Sequence, residues 1–294
     1  MASLSTTAGR VARAWPWPWR RQAARRRLPW VPLFVLAVLL ICAAFAPLIA
    51  PHDPTNIEML NAKVPPGASL SNPLGTDLMG RDILSRLIYG ARTSAFISLV
   101  ALLTGAVVGT VLGLSAGYRG GWFDAMIMRI ADAAMGFPTI LVAMVIVVFL
   151  GAGVSNIILA VALTVWARFA RMVRGDVLSV KGRDFVTLAK IAGVSSPLII
   201  WRHIFPNVVN TLMVITSLQV GQVILLEASL SFLGLGLPPG APAWGIMVAE
   251  GKNVIVDMWW LSLLPGLAIT IVVLAFNFFG DWLRDTLDPK LRRI

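Results

Sequence analysis

The fold class this sequence predicts is an all-α polytopic membrane protein with six transmembrane helices. Three observations carry the expectation. Of the 294 residues, 57% are hydrophobic and 13% charged, a balance foreign to soluble domains. The apolar residues gather into charge-free runs that match the roughly 20 helical residues needed to cross a bilayer. Lys and Arg, 25 in all, then segregate into alternate connecting segments, as topology in a membrane requires.

Residues 1–30 hold seven arginines and no acid. Prolines alternate with Trp15, Trp17 and Trp19, which excludes a helix there. The segment reads as a basic cytoplasmic tail, either one that only fixes orientation or one that recognises lipid. The first transmembrane helix spans 31–50 without a charge, longer than the apolar core of a secretory signal. Residues 51–92 follow as an extracytoplasmic loop. Prolines 51, 54, 65, 66 and 73 forbid a long helix in its first half, and Asp82 to Arg92 has helical spacing suited to lying along the interface.

Residues 93–280 hold five further helices. Span two is expected from Thr93 to Gly117. Gly105, Gly109, Gly113 and Gly117 recur every fourth residue on one of its faces, which lets a second helix backbone approach closely. Residues 118–132 carry charges, and Arg129 and Asp132 stand three apart on one helical face, where they pair. From Ala133 to Ala167 no charge occurs. That run exceeds one crossing, so Gly151 to Asn156 forms a turn between spans three and four. Arg168, Arg171 and Arg174 close span four.

The stretch 183–207, RDFVTLAKIAGVSSPLIIWRHIFPN, is the longest strongly polar interruption after residue 93. Phe185, Leu188, Ala189 and Ala192 have helical spacing, and Gly193 supplies a left-handed stop. Ser196 before Pro197 reads as an N-cap with a first-turn proline. The stretch is thus two short helices at an angle, ending at Pro206. Its apolar positions call for lipid headgroups or a partner groove. Span five begins near Val208. It carries Gln219 and Gln222, which suit a hydrophilic path, and Glu227, which is either part of that path or a structural hydrogen-bonding group. Span six runs from Met258 to Gly280 with a kink at Pro265, and 281–294 is a polar, basic tail.

With the N-terminus inside, only Lys63, Arg81, Arg86, Arg92 and Lys252 lie outside, and the other 20 basic residues lie inside. Both termini and the 183–207 helix pair are therefore placed in the cytoplasm. The net charge of +11 follows from this bias, and nucleic-acid binding is set aside because no helix carries a basic stripe interleaved with aromatics. One cysteine, Cys42, and two separated histidines, His52 and His203, offer neither a disulfide framework nor a metal site. The segment GIMVAEGKN, 245–253, has the wrong spacing for a phosphate-binding loop. No cofactor is expected in this chain, and no catalytic residue.

Seven segments in order, APHDP, NPLGTDLMGRDILSRLIYGAR, AGYRGGWFDAMIMRIADAAMGFP, RHIFPN, EASLSFLGLG, AWGIM and GDWLRDTLDP, resemble the second permease subunit of the dipeptide, oligopeptide, nickel and glutathione ABC importers. The resemblance covers about residues 30–292. It implies the type I importer permease fold in the bacterial inner membrane, with 183–207 as a coupling helix pair seated in an ATPase groove. Residues implied at that contact are Thr187, Leu188, Ala189, Gly193, Val194, Ser195, Pro197 and Pro206. Thr187 and Leu188 stand where the family motif has Glu and Ala, which implies a more apolar contact. The implied partners are a homologous permease, two ATPase subunits that carry ATP and magnesium, an extracytoplasmic solute-binding protein and the lipid bilayer. Trp244 and Glu250 either meet that binding protein or belong to a re-entrant cap over the path.

The implied function is that of a transmembrane permease subunit of an ATP-driven importer, with peptide as the chosen solute and nickel or glutathione as alternatives. An ion-gradient transporter would need paired ionisable groups at midplane and inverted repeats, and Glu227 alone is thin support. A non-transporting scaffold would use the glycine face and the helix pair for assembly only.

Overall fold

The longest helix starts at a capping residue. The Asp82 carboxylate accepts from the Ser85 backbone N–H at 2.8 Å, satisfying one of the donors a helix start leaves open. From there α2 (Ile83–Arg119) runs for 37 residues. The expected boundary at Thr93 is absent, and so is a separate interfacial helix over 82–92. No Pro interrupts the stretch, and its internal cation Arg86 is neutralised by Asp77 and Glu250, both at 2.6 Å. At 1.5 Å per residue α2 is about 56 Å long, so it projects well beyond a hydrocarbon core of about 30 Å.

The computed structural model describes residues 28–287; the Trp/Arg-rich tract before them and the end of the basic tail lie outside the described residues. The other helices are α1 (Trp30–Ile49), α3 (Gly121–Gly136), α4 (Thr139–Leu150), α5 (Val154–Lys181), α6 (Asp184–Ile191), α7 (Ser196–Ile199), α8 (Phe205–Phe232), α9 (Trp244–Gly251) and α10 (Trp260–Leu287). No β-strand forms among the described residues. Among the described residues five helices are long and apolar enough to cross a membrane, counting α7 through α8 as one, and the bent pair α3–α4 brings the number to six if it is counted as one span.

The run expected to form span three breaks near its start, between Gly136 and Thr139. Pro138 has no N–H to give and pushes Phe137 into extended geometry, φ −101° and ψ 148°. The chain turns 94° between α3 and α4. The charged segment before it is helical, and its acids find partners on α5. Asp124 holds Arg174 through two bonds of 3.0 and 2.7 Å, and Asp132 pairs with Arg171 instead of the expected Arg129. The turn into α5 falls at the glycines expected for it, with the Asn156 side-chain amide donating to the carbonyls of Leu150 and Gly151 at 2.8 and 3.0 Å.

α2 and α5 form the central pair. A core of Ile97, Leu102, Val161, Val165, Phe169 and Leu230 ties them to α8. α1 packs outside, on α2 and α10. At the end of the bundle that carries α9, two arginines are buried in a neutral cluster: Arg81 and Arg86 both contact Asp77 and Glu250. Burying charge is tolerated only with such pairing. α9 is itself folded into the bundle, with Trp244 buried and its indole N–H donating to the Leu87 carbonyl at 3.0 Å.

Candidate functional site

At the opposite end, α6 and α7 build an elbow. Gly193 has φ +77°, where a side chain is disfavoured. Around it the Val194 N–H bonds to the Ala189 carbonyl at 3.1 Å and the Gly193 N–H to the Lys190 carbonyl at 3.0 Å. This is the Schellman closure of a helix, and the expected partner contact between Val194 and Ala189 lies in one apolar cluster. The N-cap of the next helix is Ser195 rather than Ser196, which occupies the first helical position beside Pro197.

The second helix does not stop at Pro206. A π-helical turn over Ile200–Ile204 leads from α7 into α8, with the Phe205 N–H reaching back to the Ile200 carbonyl. Widening the hydrogen-bonded ring lets the helix absorb a proline that cannot donate. Span five thus continues from the elbow without a break, from Ser196 to Phe232.

The elbow is bolted to the bundle from beneath. Val186, Ile199, Ile204 and Val208 are fully or almost fully buried against Leu114 of α2 and Val173, Val177 and Val180 of α5. Tyr118, at the end of α2, touches both halves of the elbow. Its hydroxyl is 3.3 Å from Ser196 Oγ. The ammonium groups of Lys181 and Lys190 lie over its ring at 5.7 and 5.5 Å. The outer face is apolar and open: Leu188 is 65% exposed, Ile191 78% and Trp201 67%. Trp201 stacks on Phe205 with centroids 4.9 Å apart. Thr187 points no charge outward, and its hydroxyl turns back to the Arg183 carbonyl at 3.5 Å.

A second feature lies between α4, α5 and α8. It is a groove of about 220 Å³, and its polar walls are Thr139, Thr164, Arg168, Gln219, Gln222 and Ser229. Gln219 and Gln222 therefore share one surface. Arg168 stands at the midpoint of the 28-residue α5, and its guanidinium donates to Gln219 Oε1 of α8 at 3.3 Å. Charge patterning places Arg168 at the close of span four; α5 instead continues to Lys181, so Arg168 is central. No signal in the sequence locates it there, because Arg171 and Arg174 have the same appearance.

Glu227 is not a wall of that groove. It has no solvent exposure and accepts from the Ser231 hydroxyl at 2.9 Å, with Ser94 of α2 beside the same carboxyl. Glu227 and Ser231 both belong to α8, so this hydrogen bond lies within one helix. Glu227→Gln keeps the acceptor for Ser231, so uptake is expected to stay within about twofold of wild type; a loss of tenfold or more in an uptake assay would show that the carboxylate itself takes part.

The glycine face meets α5. A Cβ built at Gly105, Gly109, Gly113 or Gly117 would stand 2.3 to 3.0 Å from backbone or β-carbon atoms of Ala162, Trp166, Ala170 and Val177. α2 and α5 thus pack backbone against backbone.

Comparison with known proteins agrees with this architecture. The family described as "Binding-protein-dependent transport system inner membrane component" matches residues 109–293. That described as "N-terminal TM domain of oligopeptide transport permease C" matches residues 18–66. The chain is 42% identical over 283 residues to the glutathione transport system permease protein GsiD of Pectobacterium atrosepticum, covering 94% of this chain and 92% of the relative. It is 42% identical over 282 residues to GsiD of Escherichia coli O157:H7, covering 94% and 91%. A Brucella suis biovar 1 protein, provisionally named a peptide transport system permease protein, is 41% identical over 273 residues, covering 92% and 91%. A family match over more than half of the chain, with relatives above 40% identity along nine-tenths of their length, makes this protein a member of the binding-protein-dependent transport permeases of the inner membrane.

Proposed function

We propose that this permease encloses, with a homologous partner, the path of an importer for small peptides, and that the α6–α7 elbow sits in the cytoplasm against an ATPase subunit. Two ATPases would bind ATP and magnesium, and an extracytoplasmic binding protein would deliver the solute at the α9 end. The single observation that carries the coupling role is the open apolar face of Leu188, Ile191 and Trp201 on an elbow locked to α2 and α5. Exposed apolar side chains on a rigid support are what a partner groove buries. The charge bias of the connecting segments supports the cytoplasmic placement. The solute reading rests on the relatives, whose names specify peptide and glutathione transport. Both solutes contain amide linkages and free carboxylates.

Closure of the ATPases would move the elbow as one body, and α2, α5 and α8 would follow because they share its buried contacts. The experiment is co-purification from membranes with the co-expressed ATPases. Leu188→Asp with Ile191→Asp is expected to reduce recovered ATPase about tenfold, since each change places a charge where apolar surface is buried. Undiminished recovery would remove the elbow from the contact.

A further inference from the structure

Three arginines occupy one stretch of α5, and two of them are spoken for. Arg174 is held by Asp124 through two hydrogen bonds, and Arg171 pairs with Asp132. Arg168 differs. It lies further from the elbow, at the centre of the helix, and its hydrogen bond among the described residues goes to a neutral amide, Gln219. No Asp or Glu lines the groove around it.

A guanidinium within a membrane-spanning helix is expensive against hydrocarbon, so its face of α5 must meet water or protein. It has further donors in a planar fork, suited to two parallel bonds with a carboxylate. The surrounding walls offer neutral donors and acceptors, from Thr139, Thr164, Gln222 and Ser229, so nothing in them competes for the charge.

We infer that Arg168 is a carboxylate-reading residue of the path: the solute's own carboxylate supplies the anion that α3 supplies to Arg171 and Arg174. Gln219 positions the guanidinium between solutes. This rests on the reading of the groove as the path, and it adds a substrate class: solutes bearing a free carboxylate, whether at a peptide C-terminus or on a glutamyl end. The contact must be transient, because conduction needs a site that releases. A single cation with one neutral amide partner meets that need better than a closed ion pair.

The test uses the whole importer in proteoliposomes, with Cys42→Ala and Gln222→Cys in the permease. Labelling rates at position 222 are compared for an anionic sulfonatoethyl and a cationic trimethylammonioethyl methanethiosulfonate. The anionic-to-cationic ratio is expected to fall about tenfold in R168Q and to stay within about threefold in R168K. An unchanged ratio in R168Q overturns the role of Arg168. Labelling by neither reagent overturns the path reading itself, so the two failures are distinct.

Uptake of trialanine, glutathione and their C-terminal amides completes the test. R168Q is expected to slow whichever acid is carried by about tenfold or more, and trialanine amide by less than twofold. Slowing of the glutathione amide as well would identify the glutamyl carboxylate as the group read. Equal slowing of trialanine and its amide would mean that Arg168 only supports the fold.

Discussion

Replacing Gly193 with glutamate is expected to leave the permease folded in the membrane and to cut ATP-driven uptake at least tenfold. The residue sits at φ +77° with no atom within 4 Å of where a Cβ would stand. The substitution therefore meets no clash. It forces a side chain into the left-handed region, at a cost of about 1–2 kcal/mol. The chain relieves that strain by opening the closure around Ala189, Lys190 and Val194. α6 then loses its fixed angle to α7, while Val186 and Ile199 stay buried. A lever with a loose joint still binds but transmits little. The expected signature is ATP hydrolysis that persists while uptake falls, measured together in proteoliposomes. Gly193→Asn is the control, since asparagine tolerates this conformation, and it should keep most uptake. Wild-type uptake by Gly193→Glu would remove the elbow from the coupling step.

Much of the architecture was readable from composition and spacing, and the failures share one cause. The helix stop at Gly193, the turn at 151–156 and the four-residue glycine spacing are local signals, set by backbone conformation or by small size. Boundaries drawn from charge were less secure. Arg86 falls in the loop expected over 51–92, Asp124 among the charges before span three and Arg168 at the expected close of span four, yet each lies inside a helix. A buried or half-buried charge continues a helix when a partner arrives from elsewhere in the fold, and one sequence does not display that partner. Arg86 needs Glu250, which is 164 residues away. The groove was half legible for the same reason: Gln219 and Gln222 stand out as polar residues within an apolar run, whereas Arg168 is hidden among its neighbours. Pro206 misled differently. It reads as a terminator, but a π-helical turn accommodates it.

The glycine stripe gives the largest expected effect on the fold itself. At Gly109 an added Cβ would stand 2.3 Å from the Trp166 carbonyl oxygen and 2.6 Å from Phe169 Cβ; at Gly113 it would stand 2.5 Å from the Ala170 carbonyl oxygen. These obstacles are backbone and β-carbon atoms, which no rotamer change can move. Gly109→Leu must push α2 and α5 apart and open the shared core. Overpacking costs typically about 1–3 kcal/mol, and a backbone obstacle places this change at or above the upper end. Taking roughly 3 °C per kcal/mol for a chain of this size, the melting temperature in detergent is expected to fall by about 10 °C, with little protein recovered in a monodisperse peak. Gly105→Ala should be milder, because its contact distance is 3.0 Å, and Gly175→Ala should be neutral, with nothing within 4 Å. The order matters more than any one value. α5 turns about 100° per residue, so Arg168 points well away from the Trp166–Phe169 side that α2 grips. A wall that carries a cation to the groove on one side needs a rigid seat on the other, and close backbone packing supplies it. Should Gly109→Leu melt no lower than Gly175→Ala, the stripe does not hold α5, and the rigidity assumed for the path and the elbow has to come from another contact.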